Sequence, residues 1–242
     1  MTAFYELIRD AVRSGRPLAT VTVLTGDLVG AKLAITPDGH TIGDLGDTWL
    51  TSQAVQAAIP LLVQGETRTV DLTPEVTVFV ESFVPPPTLF MVGGVHISIA
   101  LAAMAKIVGF RTVVIDAREA FATNERFAHV DELVIAWPDE ALAGRLDARS
   151  SVAVLTHDPK LDDPALRVAL RSPARYIGAL GSPKTHARRL ERLAAEGFTQ
   201  AELARIHGPI GLPIGAKTPE EIALSILAEV VKVSRLGSQT TG

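Results

Sequence analysis

The sequence predicts an α/β protein in which a doubly wound parallel sheet follows a smaller N-terminal α/β domain. Two observations carry that fold class. The rhythm of the apolar runs changes at Val84-Pro85-Pro86-Pro87, and beyond that point strand-like runs alternate with helical patterns. Three consecutive prolines donate no backbone hydrogen bonds and favour extended geometry, so 85–87 reads as a stiff linker between a domain over 1–84 and one over 88–242. At about 100–200 residues per domain, a chain of 242 residues accommodates both.

Taken in order, a helix is expected near residues 3–13, followed by the β-like runs ATVTVL and AKLAIT. Asp38-Gly39 then suits a hairpin turn, 52–64 a helix, and EVTVFVESF a strand. After the prolines come LFMV, TVVID, ELVIA, VAVLT and RYIGAL. These runs are apolar at nearly every residue rather than at alternate ones, as expected of strands covered on both faces. The last helix opens at Thr218-Pro219-Glu220-Glu221, with Thr218 as cap, Pro219 at the first position and Glu221 closing a capping box. Ile222, Ile226, Leu227 and Val230 form its apolar stripe.

Composition excludes several function classes. The chain has no cysteine, which removes thiolate metal sites, iron–sulfur clusters, cysteine nucleophiles and disulfides. A formal charge of −4 offers no basic surplus for a nucleic-acid partner. The N-terminus lacks a basic segment followed by an apolar one, so it reads as an amphipathic helix and not a signal peptide. Residues 88–110 are long enough to span a membrane, but Gly93-Gly94, His96, Ser98 and Lys106 interrupt them. A buried strand and helix is the expectation there, in a soluble, cytoplasmic protein with no membrane partner.

In a doubly wound sheet, ligands bind beyond the carboxyl ends of the strands. Those ends carry Gly93, Gly94 and His96; then Asp116 and Arg118; then Thr156, His157 and Asp158; then Gly178, Gly181 and Ser182. The MVGGVHIS turn is similar to a Rossmann dinucleotide fingerprint, with Val95 in place of the glycine that lets a pyrophosphate approach. Asp116 lies about 20 residues onward, where an acid can bind ribose hydroxyls. His96 opens a helix whose first amides favour an anion, and His157 can converge on the same crevice as a hydrogen-bonding or acid–base group. THDPKLDD offers either an oxygen-rich metal site or, as expected here, Asp162 and Asp163 favouring a helix start. Arg188, Arg189 and Arg192 form either a solvated face or, through Arg188 or Arg189, a phosphate contact. The Gly- and Pro-rich stretch 208–221 is expected to form an ordered loop that carries contacts.

The succession GGVHIS, VVIDAR with Phe121 and Phe127, LTHDPKLDDPAL, YIGALGSPKT and RIHGPIGLPIGAKTPEEIALSILAEV resembles the XdhC/CoxI family across 87–235. GRPLATVTVL and DGHTIGDLG resemble that family's smaller domain more weakly. The resemblance implies a carrier and not an enzyme. Such a protein binds molybdenum cofactor (molybdopterin) and delivers it, after sulfuration, to a molybdenum hydroxylase of the xanthine or carbon monoxide dehydrogenase type. It also implies a homodimer and a sulfurtransferase partner. In that picture a pterin phosphate rests on the helix start at 95–97, with His96, His157 and the 178–182 turn around it.

Two departures stand out. The family's G-A-G-H turn is Gly93-Gly94-Val95-His96 here, and its G-G-C-x-E motif is replaced by Gly46-Asp47-Thr48-Trp49-Leu50-Thr51, without thiol or carboxylate at the motif positions. Two other readings therefore stand beside the first. One is an NAD(P)-dependent oxidoreductase, for which Val95 crowds the phosphate path and no Tyr–Lys pair suggests itself. The other is an assembly protein that has lost its ligand.

Overall fold

The computed structural model describes residues 2–236, which divide into two units between Pro85 and Pro86. In unit 1, helix α1 (Thr2–Ser14) places Phe4, Leu7, Ile8 and Ala11 at helical spacing and lays them on Leu18 and Ala34 of the sheet. That sheet is antiparallel, in the order β3-β2-β1-β5-β4. Its strands are β1 (Leu18–Val23), β2 (Lys32–Ile35), β3 (Thr41–Gly43), β4 (Arg68–Asp71) and β5 (Thr77–Phe83). Asp38-Gly39 turns β2 into β3, Gly39 adopting φ +82 and donating its N–H to the Thr36 carbonyl at 2.9 Å. Helix α2 (Thr48–Gln64) buries Leu50, Ala54, Ala58, Leu61 and Leu62 against the other face. It starts four residues before the periodicity suggests, because the Asp47 carboxylate accepts the Leu50 N–H at 2.7 Å. Gly65, at φ 70, ends it.

Unit 2 alternates strand and helix: β6 (Thr88–Val92), α3 (His96–Ile107), β7 (Arg111–Ile115), β8 (Glu132–Val134), α4 (Pro138–Leu142) and β9 (Ser150–Val154). Then follow α5 (Pro159–Leu170), β10 (Tyr176–Ala179), α6 (Pro183–Ala195), α7 (Gln200–Leu203), β11 (Ile206–His207) and α8 (Pro219–Leu236). All six strands pair in parallel, in the order β11-β10-β9-β6-β7-β8. Counted within the unit, that is the 3-2-1-4-5-6 order of the Rossmann fold read from the far edge. Successive residues of β6 go to opposite cores. Phe90 and Val92 pack with Leu166 and Leu170 of α5, while Leu89 and Met91 pack with Leu101 of α3 and Ile226 of α8. Burial on both faces is why these strands are apolar throughout. The cap of α8 forms as expected, with Glu221 N–H on Thr218 Oγ1 at 3.2 Å and Thr218 N–H on Glu221 at 3.0 Å. No helix among the described residues is long and apolar enough to cross a membrane.

Candidate functional site

The switch point of the unit 2 sheet falls between β6 and β9, which pair side by side while α3 and α5, the helices that follow them, pack on opposite faces. Chains diverging in this way leave a crevice beyond the strand ends. It holds about 420 Å³ and is lined by Val95, Arg118 and the 155–159 turn. Close packing dictates the glycines at its edge. A Cβ on Gly93 would lie 2.6 Å from Thr156 Cγ2, and one on Gly94 would lie 2.6 Å from the Phe121 carbonyl oxygen. Gly93 also takes φ +116, a conformation costly for any other residue.

Asp116, at the end of β7, ties this turn together. Its carboxylate accepts the Gly94 N–H at 2.8 Å, the Arg118 N–H at 2.9 Å and two side-chain bonds from Arg118 at 2.9 and 2.8 Å. Burial works against its charge, but the Arg118 guanidinium and the two amides outweigh burial and hold the carboxyl below its ordinary range. With four donors already on its two oxygens, Asp116 acts by placing Arg118 and the glycine turn. Arg118 in turn lies over the Phe121 ring, 4.1 Å from its centroid, and reaches the crevice.

Val95 caps α3 without any side-chain acceptor. The caps of α2, α5, α6 and α7 are Asp47, Asp158, Ser182 and Thr199, each accepting a first-turn amide. Amides at a helix start have no partner within the helix, so this end of α3 offers donors and a positive dipole to an anion. His96 is exposed on the first residue of α3, and His157 is exposed on the crevice wall.

Behind the crevice lies a buried polar chain. Thr156 Oγ1 accepts the Asp158 N–H at 3.2 Å and donates to Asp162. Asp162 accepts Arg189 Nη2 at 3.2 Å, and the same nitrogen reaches the Leu180 carbonyl at 2.9 Å. Burial raises Asp162 to about 6 despite that arginine. Arg189 is 1% exposed, and its Nε and Nη1 have no hydrogen-bond partner among the described residues. Asp163 takes two bonds from Arg192, at 2.7 and 2.9 Å. Asp158 caps α5 and Asp162 lies in its first turn, as expected of a helix start, while Asp162 and Asp163 also accept arginines of α6. Arg189 is turned inward and Arg188 is solvated.

The residues expected at the β10 end are engaged differently. A Cβ on Gly178 would meet Ile210 at 2.6 Å, Gly181 takes φ +145, and Ser182 caps α6 by accepting the Thr185 N–H at 3.1 Å. The structure therefore brings Gly93, Gly94, Asp116, Arg118, Thr156 and His157 together at the β6–β9 end, and sets Gly178, Gly181 and Ser182 in packing and capping roles one strand away. Sequence reasoning missed the Leu155 and Pro159 walls and a network on α8. There Tyr176 Oη donates to Glu229 at 2.5 Å, Gly211 N–H reaches the same carboxylate at 2.8 Å, and His207 Nδ1 lies 3.4 Å from it. That network, with Ile210 N–H on the Ala179 carbonyl at 3.1 Å, orders the 208–217 loop. Among the described residues, no cluster of three His, Cys, Asp or Glu side chains is placed to hold a metal ion.

Similarity to known proteins follows the same division. Residues 89–230 match the model of the XdhC Rossmann domain, and residues 11–73 match the model of the XdhC and CoxI family. The chain is 28% identical over 232 residues to a Bacillus subtilis protein named as a probable xanthine dehydrogenase subunit, covering 96% of this chain and 65% of that one. It is 36% identical over 106 residues to the Escherichia coli molybdenum cofactor insertion chaperone PaoD, covering 44% of this chain and 32% of that one. The uncharacterized Escherichia coli protein YqeB is 27% identical over 217 residues, covering 84% and 40%. The chain thus spans between about a third and two thirds of the length of these relatives. A crystal structure described as a xanthine dehydrogenase from Bacillus halodurans shares the fold, with a TM-score of 0.57 at 20% identity over 98% of this chain and 97% of that one. With its parallel sheet matched over 89–230 and its smaller unit over 11–73, the chain belongs to the XdhC/CoxI family.

Proposed function

We propose that the chain binds molybdenum cofactor in the β6–β9 crevice and hands it to a molybdenum hydroxylase, as a maturation chaperone and not as an enzyme. One observation carries the reading: the uncapped start of α3 opens beside Arg118 on a cavity of about 420 Å³. A pterin phosphate suits that place, because the 95–97 amides donate to its oxygens and Arg118 supplies positive charge. Nε and Nη2 of Arg118 are held by Asp116, so Nη1 is the nitrogen left to meet the ligand. Thr156 shapes the wall, and the rings of His157 and His96 add hydrogen bonds at the rim. The cofactor brings its own molybdenum and dithiolene sulfur, so a chain without cysteine fits as a carrier of the phosphate end.

The names of the Bacillus subtilis relative and of PaoD support a client of the xanthine dehydrogenase type. A sulfurtransferase partner, a homodimer and a cytoplasmic location complete the proposal. Sedimentation of the purified chain tests the dimer, and co-purification tests the sulfurtransferase.

Anaerobic equilibrium titration with molybdenum cofactor, NAD and NADP in parallel tests the reading. Stoichiometric binding of molybdopterin, weakened in His157→Ala, is the expected result. Binding of a nicotinamide nucleotide alone would replace it with the oxidoreductase reading. Binding of neither, alongside capture of a client enzyme, would favour a ligand-free assembly protein.

A further inference from the structure

On the side of the crevice away from β10, the sheet continues through the ends of β7 and β8. These strands pair in parallel up to Ile115 and Val134, and the Asp116 N–H reaches the Val134 carbonyl at 3.1 Å. At about 4.8 Å per strand, the end of β8 lies roughly 10 Å from that of β6. The segments leaving these two ends carry three exposed large apolar side chains: Phe121 at 41%, Ile135 at 52% and Trp137 at 49%. Phe121 belongs to the crevice edge, since its carbonyl bars a Cβ on Gly94 and its ring lies under Arg118. Ile135 follows β8 directly. Trp137 precedes α4, where its backbone carbonyl accepts the Ala141 N–H at 2.9 Å and its side chain caps nothing.

Single exposed apolar residues are ordinary, but three on neighbouring strand ends, two of them aromatic, form the kind of patch that a partner covers. The charge around it has one sign. Segment 117–140 has two arginines and no lysine. Arg118 is held by Asp116, and Arg126 donates to the Phe121 carbonyl at 2.8 Å. Glu119, Glu125 and Glu140 are exposed and have no partner among the described residues. An apolar centre edged by free carboxylates selects a surface with apolar residues at its centre and cations at its edge.

We infer that the patch of Phe121, Ile135 and Trp137 is where the client hydroxylase docks to take its cofactor, meeting it with an apolar face edged by lysine or arginine. The inference rests on the delivery role proposed above. An acceptor of the bound group must approach the mouth of the crevice, and on the β10 side the 208–217 loop already fills the space. The β7–β8 side is continuous with the mouth through Arg118 and Phe121. Trp137 and Ile135 are the anchors that a partner desolvates, and the carboxylates at the edge set its orientation.

Binding of the full chain to the xanthine dehydrogenase of the same organism, purified without its cofactor, tests the patch beside anaerobic cofactor titration of the same samples. Ile135→Ser and Trp137→Ala should each weaken docking roughly tenfold or more and leave cofactor affinity at the wild-type value. Neither side chain lines the cavity, and unchanged thermal melting verifies that each variant is folded. Ile107→Ser is the control: Ile107 is 84% exposed on the last residue of α3, at the far end from the crevice, and its loss should leave docking intact. Glu119→Lys combined with Glu140→Lys should slow association and flatten its salt dependence. A photo-cross-linking side chain in place of Ile135 should join to the dehydrogenase. Wild-type docking by both patch variants, an equal loss in Ile107→Ser, faster association after charge reversal, no association of the wild type, or cross-links only to a second copy of the chain would each overturn the proposal. Docking is measured with and without cofactor, so the two readings fail separately. A chain that docks through Ile135 and Trp137 but holds no cofactor contradicts the delivery role, and one that holds cofactor but docks elsewhere contradicts the patch.

Discussion

Two neighbouring strand ends of one parallel sheet carry similar residues and do different work. At the β6–β9 end, a threonine, a histidine and an arginine line a cavity next to a helix start that no side chain caps, with Gly93 and Gly94 in the adjoining turn. At the β10 end, glycines and a serine are just as concentrated, yet Gly178 packs on Ile210 and Ser182 caps α6. Residue type alone does not separate the two. What separates them is whether a neighbouring element returns to fill the space, as the 208–217 loop does over β10. The Asp162–Arg189 pair lies between the two ends, joining Thr156 on the open side to the Leu180 carbonyl on the closed one.

Disturbing that pair should have the largest effect. Arg189→Met leaves Asp162 buried without its cation and should cost about 3–5 kcal/mol of unit 2 stability. Urea denaturation read from Trp137 in a Trp49→Phe background measures it. The pH dependence has a defined sign. Asp162 is raised to about 6 in the fold, so its ionisation opposes folding at pH 7 and its contribution to stability grows as pH falls from about 6 toward its unfolded value near 3.9. Asp131, lowered to about 2 chiefly by Lys106, has the opposite sign: its stabilisation is present above about 3.9 and is lost as pH falls through about 2. The difference between wild type and Asp162→Asn should therefore change across the window from about 6 to 3.9 and stay level above it.

Smaller effects distinguish the open end from the closed one. Arg118→Ala should weaken cofactor binding by about 1.5–3 kcal/mol, the usual loss for a hydrogen bond to a charged group, measured by anaerobic titration. Gly94→Ala forces a Cβ onto the Phe121 carbonyl and should lower unit 2 stability by about 1–3 kcal/mol in the same urea assay. Ser182→Ala, on the closed side, should cost about 1 kcal/mol as a lost helix cap while leaving cofactor affinity unchanged.

The parallel sheet is legible in the sequence because burial on both faces writes an unbroken apolar run, as in Leu89–Val92 of β6. β3, β4 and β11 are not. TIG and RTVD are short and largely solvated, and Ile206-His207 is a two-residue strand. The early start of α2 is hidden because Trp49, within its first turn, faces solvent and disturbs the apolar period. Strand ends are legible as places for chemistry, since Gly, His and Asp cluster there. Partner choice is not. Asp162 and Arg189 are 27 residues apart, as Asp163 and Arg192 are 29, and only the packing of α5 beside α6 pairs them. Asp116 is legible as a strand-end acid, while its engagement by Gly94 and Arg118 follows from a turn geometry that spacing does not encode.

Hydrogen–deuterium exchange of the full chain with and without molybdenum cofactor, under anaerobic conditions, decides whether the open strand end is the binding site. Slowed exchange is expected at the 93–97 amides and across 155–158, with 178–182 unchanged. Protection confined to 178–182, or absent from 93–97 in a chain that holds the cofactor, would rule the β6–β9 crevice out.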